Sequence, residues 1–315
     1  MTMTPGLQRL VAMFGEVETA TLVTEPPTGI YSYELKYDGY RILAFKAGRE
    51  VVLMSRRGQD WTAAFSDVAR AVAKLDTEVV VLDGEVVAPD ARGVPSFQRL
   101  QNREGPFSYV AFDLLCLNGQ DLRHQPIEAR RAALNRLIGT PKPPWVLSTS
   151  LTGKVDQMLK AVCRAGFEGL VGKRAGSVYR PGRGLDWIKL KCELRQEFAV
   201  VGYLPYTGSQ PGIVGSLVLA LHERGRLVFA GKVGTGFDMK TRAQLGKLLE
   251  ERRADRPAAK DVPEFGGLVR WTAPGLVVEV KFSEWTEGGH ARHPVYLGVR
   301  PDKLPEDCVR EGPVA

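Results

Sequence analysis

Hydrophobic and polar positions along the chain fall into two textures that meet near residue 192. In the first, alternating or continuous apolar runs are interleaved with helical spacings. Ser32 to Tyr37 alternates and then meets Asp38-Gly39, a strong turn signal, which predicts a strand running into a turn. On that strand Glu34, Lys36 and Asp38 share one face, while Tyr33, Leu35 and Tyr37 pack on the other. Arg41 to Phe45 and Glu50 to Ser55 predict two further strands, and Tyr109 to Leu115 another. Val79 to Val87 is a nearly continuous β-branched run and reads as a buried strand. Helices are predicted by the spacing of Trp61, Phe65, Val68, Val72 and Leu75, and over Gln125 to Ile138 and Asp156 to Ala165. The first 30 residues hold a short amphipathic piece and a Pro-Pro-Thr-Gly turn.

After Cys192-Glu193-Leu194 the pattern changes. Phe198 to Tyr203, Gly215 to His222, Gly225 to Val233 and Leu276 to Phe282 are short β runs between glycine-rich turns, with one helix at Thr241 to Arg252. About five strands with a single helix suggest an OB-fold barrel. Gly231-Lys232-Val233-Gly234-Thr235-Gly236 lacks the full spacing of a phosphate loop and reads as barrel turns. His290 and His293, in a Gly/Pro context, make a poor metal site. No internal repeat or low-complexity tract is present.

At 315 residues the chain has room for two cores, and its 44% hydrophobic and 25% charged content is that of a soluble globular protein. A net charge of +7 fits a nucleic-acid partner without deciding for one. Cys116, Cys163, Cys192 and Cys308 are far apart, with no Cys-x-x-Cys pair. That excludes a zinc ribbon, gives no sign of a disulfide framework, and predicts isolated buried thiols in a reducing cytosol. The start lacks a signal-peptide pattern, and no apolar run approaches the roughly 20 residues of a membrane helix, so an intracellular, cytoplasmic protein is expected.

Several charges sit where a bare core would not hold them. Lys36 lies between two carboxylates on one strand face; the bland alternative is a solvated salt bridge. A free lysine has a pKa of about 10.4, so about one in a thousand is neutral and nucleophilic near neutral pH, and burial or nearby cations lower that pKa. Asp83 and Glu85 share a face of the buried Val79–Val87 run, where they either hydrogen-bond structurally or act chemically. Glu168, between Phe167 and Gly169-Leu170-Val171, is expected to be buried, and a metal would offset its desolvation. Lys189 and Lys191 share a face opposite Ile188 and Leu190, and a phosphate between them would relieve their repulsion. Ser55-Arg56-Arg57-Gly58 is either an anion site or a solvated turn. The basic helix with Arg130, Arg131 and Arg136 reads most simply as a solvated face, and Phe112 alone as core.

Glu34-Leu35-Lys36-Tyr37-Asp38-Gly39-Tyr40-Arg41 also resembles the Lys-x-Asp-Gly-x-Arg signature of the covalent nucleotidyltransferases: DNA ligases, RNA ligases and capping enzymes. The arginine element at Arg56, Asp83-Gly84-Glu85, Glu168-Gly169-Leu170-Val171, Asp186-Trp187-Ile188-Lys189-Leu190-Lys191 and Arg300-Pro301-Asp302-Lys303 follow in the family's order. Together with Gly-Lys-Val-Gly-Thr-Gly-Phe at 231–237, they most resemble ATP-dependent DNA ligases of the bacterial end-joining type, as a module or a stand-alone relative.

The resemblance implies an α+β fold: a nucleotidyltransferase (adenylation) domain of antiparallel sheets with flanking helices over 1–192, an OB-fold barrel over 193–305 and a tail over 306–315. It implies that Lys36 carries AMP and that Asp38, Arg300, Asp302 and Lys303 complete the catalytic set. Arg300 and Lys303 are expected to orient the pyrophosphate. Glu34 would read the adenine amino group and Phe112 stack on the base, with Asp113 beside it. Arg41 and Glu85 would contact the ribose and the nick, Lys189 and Lys191 the α-phosphate, and Arg56 the 5′-phosphate of the DNA. Glu168, with Glu85, would serve Mg²⁺ or Mn²⁺. The implied substrates are ATP and nicked or broken duplex DNA, and the implied partners a Ku-like end-binding protein or a repair polymerase, with the chain a monomer off the membrane. The zinc cysteines of NAD-dependent ligases are missing, and the large helical DNA-binding domain of eukaryotic ligases is not expected. An RNA ligase, a capping guanylyltransferase and a non-catalytic binding protein on the same scaffold are the alternatives.

Overall fold

Two units emerge from the two textures, and a computed structural model describes them over residues 3–206, 212–265 and 269–311. The first unit is built from residues up to Cys192 and the second from Glu193–Glu311. In the first, helix α1 (Pro5–Phe14) precedes strands β1 (Glu18–Leu22), β2 (Tyr31–Lys36), β3 (Tyr40–Ala47) and β4 (Glu50–Ser55). Helix α2 (Ser66–Ala73), strand β5 (Val79–Val87), the short helix α3 (Phe97–Gln101) and strands β6 (Ser108–Leu117) and β7 (Gln120–Asp121) follow. Helix α4 (Ile127–Ile138), strand β8 (Trp145–Leu147), helix α5 (Val155–Arg164) and strands β9 (Gly169–Arg174) and β10 (Gly182–Lys191) complete it.

One sheet has the order β1-β10-β9-β2, and the other β4-β3-β5-β6-β7 with β8 beside β6. The β1/β10 and β6/β8 pairs are parallel, an exception to the antiparallel expectation that the remaining pairs meet. Alternation in β2 works as its pattern requires. Tyr33 and Leu35 join a core of Leu170, Ile188, Leu190, Met158 and Val162, which leaves Glu34 and Lys36 on the opposite face. The strand stops at Lys36, so Tyr37 and Asp38 fall in the connection to β3 and not on the predicted strand face.

Two expectations fail here. Helix α4 does not turn all its arginines to solvent: Arg130 is fully buried and grips Asp113 on β6 with two 2.8 Å hydrogen bonds. Its third nitrogen donates to the carbonyls of Gln125 (2.7 Å) and Ser177 (3.1 Å), so a charge that would be costly alone is fully partnered. The cysteines are not all isolated thiols either. Cys163 and Cys192, with Cα atoms 5.4 Å apart, form a disulfide, while Cys116 and Cys308 are free and buried. Helix α5 lies on β9 and β9 pairs with β10, which brings together two cysteines 29 residues apart.

In the second unit, β11 (Leu194–Pro205), β12 (Val214–Glu223) and β13 (Arg226–Val233) form an antiparallel meander. Helix α6 (Met239–Glu250) and β14 (Arg253–Ala254) lead to β15 (Arg270–Phe282), β16 (Glu284–Trp285), β17 (Ala291–Arg292) and β18 (Val295–Val299). The sheet runs β13-β12-β11-β15-β14, with β18 on β15, around a core that includes Phe198, Leu217, Leu219, Val278, Val280 and, from α6, Leu245 and Leu249. Three strands, a helix, the long β15 and the short β18 around one core are an OB-fold barrel. The 231–236 segment runs out of β13 as barrel turn: Arg242 of α6 donates to the carbonyls of Val214 (2.8 Å), Gly215 (2.7 Å) and Gly234 (3.1 Å). Residues 306–311, expected to be a tail, are docked on this unit. Cys308 is buried, its carbonyl accepts the His222 N–H at 2.6 Å, and Arg310 pairs with Glu223. Among the described residues no helix is long and apolar enough to cross a membrane.

Candidate active site

The first unit gathers its unusual charges around the end of β2. Lys36 Nζ lies 2.5 Å from Glu168 Oε2, and the other oxygen of Glu168 lies 3.9 Å from Lys191 Nζ. One carboxylate, 7% exposed, therefore stands between two lysines from different strands. Backbone close approach makes this possible. Gly169, which follows Glu168, has φ of +150°, and a Cβ there would lie 2.0 Å from the Leu190 carbonyl oxygen. Gly39, in the turn after β2, would place a Cβ 2.2 Å from the Val86 oxygen. Its bare N–H instead donates to Glu85 Oε1 at 3.1 Å, anchoring that carboxylate beside the Lys36 turn. Burial alone would lower the Lys36 pKa, but Glu168, Glu85 and Asp38 outweigh it and hold the ammonium above the ordinary lysine range. The expected lowering is thus reversed in the protein by itself.

Glu34, two residues earlier on the same face, is 2% exposed and held by three side chains. Arg131 donates to Oε1 at 2.5 Å and Ser148 to Oε2 at 2.6 Å. Lys173 Nζ sits 3.2 Å from each oxygen. That ammonium also donates to the Phe112 carbonyl at 3.1 Å and lies over the rings of Phe112 (4.8 Å) and Trp187 (4.4 Å), which meet edge to face.

Arg41 is bound within the unit. Its Nε and Nη2 donate to the two oxygens of fully buried Asp83 at 3.0 and 2.6 Å, and Nη1 to the Glu18 carbonyl at 2.6 Å. Tyr179 adds a 2.7 Å hydrogen bond to Asp83. Asp83 is thereby structural, as one of its two readings required, whereas Glu85 faces the lysine. Beside this pair, the buried Glu18 carboxyl is pushed up to about 7 by desolvation, partly countered by the Arg180 N–H at 3.0 Å. Lys189 and Lys191 come from β10, whose Ile188 and Leu190 pack into the core on the other side as their alternation predicts. Arg56 lies in the turn that leaves β4. Arg300, Asp302 and Lys303 belong to the second unit and form a cluster there. Arg300 grips Asp302 with two 2.8 Å bonds and reaches Glu279 at 3.1 Å and Glu197 at 3.3 Å, and Lys303 pairs with Glu197 at 2.7 Å. Burial would raise the Asp302 carboxyl, but Arg300 holds it below the ordinary range.

The family model described as "ATP dependent DNA ligase domain" matches residues 11–191, and that described as "ATP dependent DNA ligase C terminal region" matches 210–303. The chain belongs to the ATP-dependent DNA ligases. This ligase-family chain is 43% identical over 310 residues to the multifunctional non-homologous end joining protein LigD of Pseudomonas aeruginosa, covering 94% of the chain and 36% of that protein. It is 36% identical over 288 residues to the corresponding LigD of Mycobacterium tuberculosis, covering 89% of the chain and 37% of that protein. It therefore spans little more than a third of the length of these relatives. Among solved structures, a mycobacterial DNA ligase D complexed with ATP and MES superposes with a TM-score of 0.65 at 34% identity, over 95% of this chain and 99% of that one.

The donor set of the ligase chain fits a hard divalent cation. Glu85 and Glu168 offer carboxylate oxygens beside Lys36, and Mg²⁺ is held by one or two carboxylates plus substrate phosphates and water. Among the described residues no group of three His, Cys, Asp or Glu side chains could hold a metal unaided. Arg131, Ser148, Lys173 and Trp187 were missed as site residues. In the sequence Arg131 belongs to a helix face that reads as solvated, Ser148 lies in a loop, and Lys173 stands in an apolar strand. Only the spacing of Arg130-Arg131 on α4, which points adjacent arginines in different directions, carried a signal.

Proposed function

We propose that the chain seals nicks with 5′-phosphate and 3′-hydroxyl ends in duplex DNA, through AMP carried on Lys36, in end joining or repair. The observation that carries the reading is Lys36 Nζ held 2.5 Å from a buried glutamate that also faces Lys191, inside a stretch matched throughout by the ligase family. Lys36 must first give up the proton that its ion pair with Glu168 holds in place. The neutral amine attacks the ATP α-phosphorus: the N–P bond forms, the bond to the bridging oxygen breaks, and pyrophosphate leaves. The 5′-phosphate of the nick then attacks the same phosphorus and releases Lys36. Finally the 3′-hydroxyl attacks the 5′-phosphorus, the nick closes and AMP departs.

Lys189 and Lys191 stabilise charge on the α-phosphate, Glu34 and Phe112 receive the adenine, and Arg56 meets the DNA 5′-phosphate. Arg41, fixed by Asp83, presents an ordered cationic wall by the ribose. Arg300, with Asp302 gripping it, and Lys303 are assigned to the pyrophosphate on the family resemblance. Mg²⁺ or Mn²⁺, bound by Glu168 and Glu85, would supply Lewis-acid stabilisation of the phosphoryl oxygens. Names of the relatives that include end joining support a Ku-like partner or repair polymerase and a place beside the bacterial chromosome.

The test is transfer of label from α-labelled ATP or GTP, read on a denaturing gel for wild type and Lys36→Ala. Label from ATP that is lost in the variant supports the reading, with nick sealing the next assay. Label from GTP points to capping chemistry, and none from protein free of bound AMP sinks it.

A further inference from the structure

Glu34 is held more firmly than a surface-facing recognition residue needs to be. A carboxylate offers about four lone-pair sites, and the donors from Arg131, Ser148 and Lys173 leave it able to accept one more. Each holder is itself fixed. Arg131 also donates to the Ser148 carbonyl at 2.8 Å and to Ser150 Oγ at 3.1 Å, which meets Ser32 Oγ at 2.7 Å. Lys173, 1% exposed, ties Glu34 to the Phe112 backbone and stands over the Phe112 and Trp187 rings. A single ammonium therefore joins a hydrogen-bonding edge to an aromatic face. Glu34 and Lys36 lie on one strand face, about 7 Å apart at two residues' rise, which suits a base and the phosphate of one nucleotide.

We infer that Arg131, Ser148 and Lys173 are positioning residues that lock Glu34 as a pure acceptor and thereby set the choice of purine; this rests on the ATP-dependent reading above. Adenine presents an amino donor at position 6, whereas guanine and hypoxanthine present a carbonyl acceptor there. A carboxylate pinned by two cations accepts from the first and repels the second. A loosened or neutral Glu34 would discriminate less, since rejection by a buried polar group depends on leaving the wrong partner unpaired.

The decisive measurement is kcat/KM for covalent labelling of Lys36 by ATP and by ITP, in wild type and in Arg131→Gln, Lys173→Met, Ser148→Ala and Glu34→Gln. The ATP-to-ITP ratio is expected to fall by about tenfold or more in Arg131→Gln and Lys173→Met, chiefly through KM for ATP. Ser148→Ala should fall less, and Arg131→Lys should recover part of the ratio. Ser148→Ala removes a single hydroxyl and serves if the buried-cation variants do not fold. An unchanged ratio in folded variants, or equal losses for both nucleotides, would overturn the inference by showing a merely structural network. A wild type that takes label from neither nucleotide fails the ligase reading itself, and the inference with it.

Discussion

Lys36 holds its proton in the resting protein more tightly than an ordinary lysine, although the proposed reaction requires that proton to leave. Burial works in the useful direction, and three carboxylates overcome it. On the proposed mechanism, activation comes with the nucleotide and cation that would compete for Glu168. Without either, Lys36 should react with an amine-acylating reagent several-fold more slowly than exposed lysines. Glu168→Gln should speed that modification, as followed by peptide mass spectrometry; no change would remove Glu168 as the restraint. Glu18 shows the opposite kind of strain. Its carboxyl is raised from 4.5 to about 7, so between those values the folded state keeps a proton that the unfolded chain has lost. Stability from this group accordingly falls as pH rises through that window and stays lower above it. Glu18→Gln keeps the acceptor for the Arg180 N–H. It should flatten that fall and raise Tm by about 2–4 °C at pH 8, with no gain at pH 4.

At the scale of elements, the site is assembled by register more than by any one motif. Pairing of β2 with β9 sets Glu34 opposite Val171 and Ser32 opposite Lys173, while β9 with β10 sets Trp187 opposite Lys173. Helix α4 then reaches across with Arg131, and its neighbour Arg130 locks the helix to β6 through Asp113. The disulfide fastens the end of α5 to the end of β10, next to Lys191, and the Cys192 N–H donates to the Glu168 carbonyl at 2.9 Å. A cross-link closing a loop of this length is worth about 3 kcal/mol. The Cys163→Ser/Cys192→Ser variant should lower the urea midpoint correspondingly. Dithiothreitol should do the same to wild type and leave the variant unmoved; equal midpoints in all samples would show that the bridge is not formed in solution.

For the whole molecule, two units with separate cores carry the two sets of motifs, and the net charge of +7 provides a general attraction for DNA. With an excess of seven positive charges, the affinity for a nick should be dominated by phosphate contacts. Raising salt from 50 to 200 mM should weaken binding of a nicked duplex by about a hundredfold or more, measured by fluorescence anisotropy with Lys36→Ala to prevent turnover. A nearly flat salt response would point to recognition through base or shape contacts instead.

Much of this was legible along the chain. Alternation and β-branched runs located β2, β5 and the barrel strands, because a two-residue period against a core leaves its mark locally. Carboxylates and lysines in apolar runs marked Glu34, Lys36, Glu85, Glu168, Lys189 and Lys191, since burying charge demands a partner wherever it occurs. What the chain could not disclose was which partner. Arg41 with Asp83, Arg130 with Asp113, Arg131 and Lys173 with Glu34, and Cys163 with Cys192 are pairings between elements distant in sequence. A local pattern records that a residue is charged or apolar and the side of its element it occupies. Sheet order and register decide what stands opposite, and only the folded chain supplies those.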